Sequence, residues 1–164
     1  MRYHPSMKLT ILAFSFLLAL PALAGEGVDA AWKSLQSLAG DWQGDSGKAS
    51  ITYTVVSDGT AVMESMKTPA PHTDMVTMYH RDGAGLVATH YCSMGNQPRM
   101  RAADGDAKTI RFRFADITNL AKPDGGHIKD LTVTFQDADH MTQEWTSVEK
   151  GKEQVEVFHW TRKK

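Results

Sequence analysis

The sequence predicts an all-β protein, an antiparallel barrel of about ten strands preceded by one short helix. Three observations lead to this fold. From residue 41 onward apolar residues alternate with a period of two, the alternating runs are short, and turn signals such as Asp58-Gly59 and Asp82-Gly83 separate them. The sequence between the runs contains no pattern for a crossover helix. Consecutive strands are therefore expected to pair, and closure into a barrel removes exposed sheet edges.

Residues 1–24 have the three parts of a secretory signal peptide. Arg2 and Lys8 are basic, the segment 9–20 (LTILAFSFLLAL) is almost entirely apolar, and Ala-Leu-Ala ending at Ala24 fits a cleavage site. The apolar run is shorter than the ~20 residues that a membrane-spanning helix needs. Translation could start at Met1 or at Met7, and both starts retain this pattern.

We therefore expect cleavage after Ala24, export to the periplasm or outside the cell, and one domain formed by residues 25–164, without an integral membrane segment. Removing Arg2 and Lys8 lowers the 18 basic residues to 16, against 19 acidic ones. A mildly acidic chain without a basic run offers no electrostatic basis for binding nucleic acid. Because Cys92 is the single cysteine, the domain has no internal disulfide.

The helix is predicted over Val28–Leu38, where Asp29 can cap the first turn and Gly40 follows the end. The strands follow from the alternation and the turns. They are predicted at Asp41–Gln43, Ala49–Val56, Ala61–Lys67, Met75–His80, Leu86–Ser93, Arg99–Ala103, Thr109–Ile117, Ile128–Gln136, Met141–Val148 and Gln154–Arg162.

Alternation also sorts side chains between the two faces of each strand. His90 and Cys92 share one face of their strand, and Tyr91 lies on the other. Four arginines alternate with Met and Phe on the next two strands, which favours an outer, solvated face for them. With a hairpin at Asp104-Gly105, Arg101 is expected near Arg111, and Arg99 is expected near Arg113.

The segment Leu38–Gly44 (LAGDWQG), a Gly-x-Trp that follows a short helix and opens the first strand, resembles the calycin superfamily of lipocalins, fatty-acid-binding proteins and nitrobindin-like barrels. The resemblance implies that Trp42 packs across one end of the barrel beneath a basic residue of the last strand. Arg162 matches that position, and a guanidinium stacked on an indole gives a cation–π contact.

The stretch Met75–Met100, which ends in THYCSMGNQPRM, is similar to a group of secreted bacterial calycin-like proteins with a comparable His-Tyr-Cys and Gly-Asn-Gln-Pro-Arg block. This resemblance implies a fold and export and no known reaction. The amides and guanidinium of the block supply many hydrogen-bond donors and acceptors, as a polar ligand group needs, although they also suit a simple turn.

The leading hypothesis is a non-enzymatic barrel that binds a small, partly apolar molecule in its interior. No nucleophile–base pair or carboxylate pair is apparent, so we assign no catalytic residue. The methionine content suits a cavity for variable apolar ligands or a plain core. The candidate ligand-binding residues are Trp42, His90, Tyr91, Cys92, Asn96, Gln97 and Arg99.

Two alternatives remain. The first is a haem-binding barrel acting on reactive nitrogen species, because nitrobindin-like proteins hold haem through a His near the C-terminus. His159, or else His90, would then be the axial ligand. If Phe158 and Trp160 point inward, His159 points to solvent. The second is a ligand-free interaction or stress protein of the cell envelope. No cofactor is expected under the leading hypothesis, and no metal site, because His90 and Cys92 lack an evident third ligand.

Overall fold

The computed structural model describes residues 22–70, 74–102 and 105–164, and for residues 22–26 only the backbone. The described chain forms one helix, α1 (Ala22–Ser37), and ten strands that make a closed antiparallel barrel. The strands are β1 (Gly40–Gly44), β2 (Ser50–Val56), β3 (Ala61–Lys67), β4 (Asp74–Asp82), β5 (Gly85–Tyr91), β6 (Gln97–Ala102), β7 (Thr109–Thr118), β8 (His127–Phe135), β9 (His140–Glu149) and β10 (Lys152–Arg162).

The predicted fold class is confirmed. Each strand pairs with the next along the chain, and β1 closes the barrel by pairing with β10. The tight turns lie where glycine and aspartate allow left-handed backbone, as at Asp58 (φ 52°) and Gly83 (φ 58°). The predicted signal peptide falls, apart from the helical backbone of residues 22–24, outside the described residues. Among the described residues no helix is long and apolar enough to cross a membrane.

Helix α1 covers one end of the barrel. Its apolar stripe places Ala31 and Leu35 in the core, and Leu38, which follows the end of the helix, is buried beside them; each is at most 2% exposed. Polar side chains on the helix reach the turns at this end, since Ser34 donates to the carbonyl of Ala107 and Gln36 donates to the carbonyl of Gly59. The interior is therefore closed at the helix end.

The predicted pairing of Trp42 with Arg162 is confirmed. The two residues are opposite each other across the β1–β10 ladder, and the guanidinium carbon lies 4.3 Å from the centre of the indole ring. The Trp42 indole nitrogen donates to the carbonyl of Leu38 at 2.8 Å, and Arg162 donates to the carbonyls of Ser37 and Ala39, both at 2.8 Å. These contacts join the end of α1 to the first and last strands.

The arginine face lies on the outer surface, as predicted, but the predicted pairing is wrong. Arg101 is opposite Arg113, and Arg99 is opposite Asp116 after a β-bulge. The turn that joins β6 and β7 is built on Asp106, whose carboxylate accepts from the backbone N–H groups of Lys108 and Thr109, both at 2.7 Å. This turn lies beyond the expected Asp104-Gly105, and the register shifts with it.

Carboxylates on the same outer surface pair with two of the arginines. Arg99 pairs with Asp116 and Arg101 pairs with Asp82, with shortest distances of 2.6 Å and 2.5 Å between charged atoms. These side chains are about half exposed, so each pair adds little to stability. The face therefore needs no anionic ligand to balance its charge.

Candidate functional site

The barrel contains a cavity of about 700 Å³ at the end opposite α1. Its mouth lies among the connections that join β3 to β4, β7 to β8 and β9 to β10, because residues of those connections line it. A volume of this size is within the range of small-molecule sites in proteins. The cavity lies in the upper part of the barrel, between the mouth and a layer of buried polar side chains.

The wall of the cavity is mainly apolar and the rim is charged. Inward-pointing residues of the strands form the wall, and the exposed Met94 of the β5–β6 turn also lines the cavity; the wall residues are Met66, Met75, Ile128, Trp145 and Phe158. Charged residues of the β9–β10 hairpin form much of the rim: Glu149, Lys150, Lys152 and Glu156. Thioether and aromatic side chains give a surface that adapts to ligand shape. The rim carries both positively and negatively charged side chains, so it favours neither sign of charge on a ligand.

His90 lies at the inner end of the cavity and is only 2% exposed. Its Nδ1 is 2.9 Å from the hydroxyl oxygen of Thr77, and its ring packs on the indole of Trp145 with centroids 4.9 Å apart. Burial lowers the pKa of His90 to about 4, so the imidazole is neutral at neutral pH. A neutral imidazole presents one donor and one acceptor nitrogen.

A belt of buried polar residues crosses four neighbouring strands beneath the cavity. Tyr53 on β2 is opposite Glu64 on β3, Glu64 is opposite Thr77 on β4, and Thr77 is opposite His90 on β5. Alternation directs all four side chains into the barrel, and each of the four residues is at most 2% exposed. The interior at this level is filled by hydrogen-bonded side chains.

The carboxylate of Glu64 is the acceptor at the centre of this belt. Its Oε2 accepts hydrogen bonds from the hydroxyls of Tyr53 and Tyr79, both at 2.7 Å, and from the Gln143 amide at 2.8 Å. Burial raises the pKa of Glu64, while its hydrogen bonds, including one from Thr77, oppose the rise. Burial and the nearby Glu64 hold the pKa values of both tyrosines well above 10, so the phenols remain donors.

The contact with Thr77 engages Nδ1 of His90, so Nε2 is the ring nitrogen that remains for the cavity. Either Nδ1 or the Thr77 hydroxyl is the donor in this contact, according to the tautomer of the neutral imidazole. Nε2 offers a lone pair when Nδ1 carries the proton, and an N–H when Nδ1 accepts from Thr77.

Two of the predicted binding residues line the cavity, namely His90 and Cys92. Cys92 follows the end of β5 and is half-buried, and burial raises the pKa of its thiol. Trp42 lies at the opposite, closed end of the barrel, where it stacks under Arg162 and does not reach the cavity. The common face predicted for His90 and Cys92 is the inner face.

The remaining predicted residues lie outside the cavity. Tyr91 and Arg99 point away from the interior because strand alternation places them on the outer face, where Tyr91 is 48% exposed. Asn96 is buried in the β5–β6 turn and donates to the carbonyl of Gly126 at 2.8 Å. Gln97 donates to the carbonyl of Gly95 and accepts from Thr118. The amides of this block hold the turn.

His159 lies on the outside of the barrel. Trp160 is buried, Phe158 lines the cavity, and His159 between them is exposed, with its Nδ1 3.2 Å from the Thr142 hydroxyl. It cannot bind a group held inside the barrel, so the haem alternative depends on His90. Within residues 22–70, 74–102 and 105–164, no group of three or more His, Cys, Asp and Glu side chains could hold a metal ion.

Sequence reasoning did not find the Glu64 belt. The signal was present, because Glu64 occupies the inward position between Val62 and Met66 on β3. A carboxylate at an inward position predicts a buried polar network. Comparison with models of protein families and with curated proteins gives no match to this chain.

Proposed function

We propose that this protein is an exported barrel that binds a small, partly apolar molecule in the 700 Å³ cavity above His90. The observation that supports the proposal is the contrast between the apolar wall of the cavity and the polar groups at its two ends. A wall of methionine and aromatic side chains ends at a single buried imidazole, and the charged groups lie at the rim. Small-molecule sites are commonly apolar with a few placed polar groups.

The inner end of the ligand is uncharged. His90 is neutral at neutral pH, and no cation among the described residues lines the deep part of the cavity. A charged ligand group at this depth would lose its hydration without a counter-charge, which is strongly unfavourable. An ionised group on the ligand belongs at the rim, beside Lys150, Lys152, Glu149 or Glu156.

The inner end of the ligand also donates a hydrogen bond. Thr77 engages Nδ1 of His90, and with the imidazole proton on Nδ1 the Nε2 lone pair is an acceptor for the ligand. A hydroxyl or an amide N–H placed against it satisfies both groups. A molecule with one such donor and an apolar body therefore fits the cavity better than a pure hydrocarbon.

The signal-peptide pattern of residues 1–24 supports export. Expression in a bacterial host, followed by fractionation and mass measurement of the intact protein, tests this part. We expect the extracytoplasmic fraction to contain a chain that begins at Gly25. A full-length chain retained in the cytoplasm would contradict export and leave the binding proposal to be judged separately.

The ligand is best sought by denaturing mass spectrometry of protein purified without detergent or organic solvent. We expect a hydroxyl- or amide-bearing compound to be released from the wild type and to be absent from Ser147→Phe, which places a ring in the cavity. Thr54→Phe, on the outer face of β2, is the matched control and should retain the compound. Equal recovery from all three proteins would contradict binding in the cavity.

The same sample tests the haem alternative, which the position of His90 favours over any arrangement through His159. A Soret band that appears on hemin titration and is lost in His90→Ala would support it. Hemin binding that is unaffected by His90→Ala, or absent altogether, would exclude the haem alternative. If neither hemin nor any released compound is found, the ligand-free interaction protein becomes the better account.

A further inference from the structure

Sulfur-containing side chains lie along one wall of the cavity. Met66 on β3 is opposite Met75 on β4, and Val76 is opposite Tyr91 on β5. Met75 precedes Val76 and Cys92 follows Tyr91, so these two residues lie just beyond the last pair of the β4–β5 ladder. The side chains of Met66, Met75 and Cys92 all line the cavity. Side chains that share a face at such positions have Cβ atoms roughly 5 Å apart.

His90 lies one inward position deeper than Cys92 on the same wall. Its Nδ1 is held by the Thr77 hydroxyl at 2.9 Å. This arrangement is the one that a metal-binding histidine commonly has, with one nitrogen fixed by a hydrogen-bonded partner and the other free for the metal. Thr77 thus supplies an orienting contact that is independent of the sulfur atoms.

The candidate ligand atoms of this wall are soft donors. Thiol, thioether and imidazole groups prefer Cu(I), whereas Mg²⁺ and Ca²⁺ require oxygen ligands. The carboxylates that line the cavity, Glu149 and Glu156, lie at the rim.

We propose that Cys92, Met75 and His90 bind one Cu(I) ion in the cavity wall, with Met66 beside them. The Cys92 thiol loses its proton to solvent as the copper–sulfur bond forms, and Nε2 of His90 and the Met75 sulfur donate lone pairs. No electron is transferred in this step. The copper site needs only this wall of the cavity, but it uses the Nε2 of His90 that the small-molecule proposal assigns to the ligand, so the two occupants exclude each other at that nitrogen.

Titration of the reduced mature protein with Cu(I) under anaerobic conditions, in competition with bicinchoninate, tests the site. We expect one Cu(I) per chain. Cys92→Ser and Met75→Leu should each weaken binding about tenfold or more, as loss of a ligand does. Met78→Leu removes a thioether from the outer face of the same strand and should leave the affinity unchanged.

X-ray absorption of the loaded protein gives a readout that does not depend on affinity. We expect sulfur scatterers together with one nitrogen scatterer, and loss of the nitrogen in His90→Gln. Both Met→Leu substitutions conserve the side-chain volume, and urea unfolding of each variant verifies that it is folded. Absence of one-to-one binding, or equal affinities for Met75→Leu and Met78→Leu, would overturn the proposal. Neither result would bear on compounds released from the wild-type cavity.

Discussion

The indole of Trp145 packs against the imidazole of His90, with ring centroids 4.9 Å apart and planes inclined by 50°. The Trp145 nitrogen donates to Gln143, which in turn donates to Glu64. The inner end of the cavity is therefore built on the buried polar belt. Trp145 is also an intrinsic fluorophore at the point where we expect the ligand to end.

The hydrogen-bonding of His90 predicts a preference among otherwise similar ligands. N-phenyl-1-naphthylamine has an apolar body and one uncharged N–H donor, and its N-methyl derivative lacks the donor. We expect the wild type to bind the methylated compound about tenfold more weakly, the value of one buried hydrogen bond. Competition titrations measure the ratio, and His90→Phe should bring it close to one. A ratio that is the same in both proteins would contradict the role of Nε2.

The lowered pKa of His90 predicts how stability changes with pH. The unfolded chain takes up a proton near pH 6.5, whereas the folded chain resists it until about pH 4. The unfolded state thus binds more protons between these values, and the free energy of unfolding falls as the pH is lowered from 6.5 to 4. The difference between the two pKa values corresponds to about 3 kcal/mol from this group.

Urea unfolding of the wild type and of His90→Gln across pH 4 to 7 measures this contribution. The wild type should lose more stability than the variant as the pH falls. Glu64 acts in the opposite direction, because its raised pKa favours the folded state below its unfolded value, and it is common to both proteins. Parallel curves for the two proteins would show that the His90 site is not desolvated.

Removal of the Glu64 carboxylate should be strongly destabilising. Glu64→Ala leaves the buried hydroxyls of Tyr53 and Tyr79 without their acceptor, and also leaves a void. We expect a loss of about 3 kcal/mol or more in the free energy of unfolding. Glu156→Ala, at the exposed rim, should change it by less than about 0.5 kcal/mol. Similar values for the two variants would contradict a structural role for the belt.

Arg162 should contribute strongly to stability although it lies near the C-terminus. Its guanidinium stacks on Trp42 and donates to the carbonyls of Ser37 and Ala39. Arg162→Ala removes both kinds of contact, and we expect a loss of about 3 kcal/mol in chemical unfolding. Arg111→Ala on the outer face is the control, with an expected change below about 0.5 kcal/mol. A small effect at Arg162 would mean that α1 is held by its apolar stripe alone.

The strands and their two faces could be predicted because alternation and turn residues are local signals. The common face of His90 and Cys92 follows directly from their spacing. Whether that face is the inner one depends on closure of the barrel, and His159 was ambiguous for the same reason. The pairing of the arginines depended on the Asp106 turn, which shifted the register beyond the expected Asp104-Gly105 hairpin.

The partners in the belt could not be derived from local sequence. Gln143 is 79 residues from Glu64, and barrel curvature alone brings them together. The polar block after Cys92 was misleading for a different reason. Asn96 and Gln97 satisfy turn and loop backbone groups, which is as common a use of amides as ligand binding.

The most direct test of the binding account is a fluorescence titration of the mature protein with N-phenyl-1-naphthylamine. We predict saturable binding of one probe per chain, with a change in Trp145 emission that is absent from Trp145→Phe. The change should be retained in Trp32→Phe, because Trp32 is a buried residue of α1 at the closed end of the barrel. Ser147→Phe should weaken binding about tenfold or more by occupying the cavity, whereas Thr54→Phe should bind as the wild type does. Failure of the probe to saturate, or equal affinities for Ser147→Phe and Thr54→Phe, would contradict a ligand site inside the barrel.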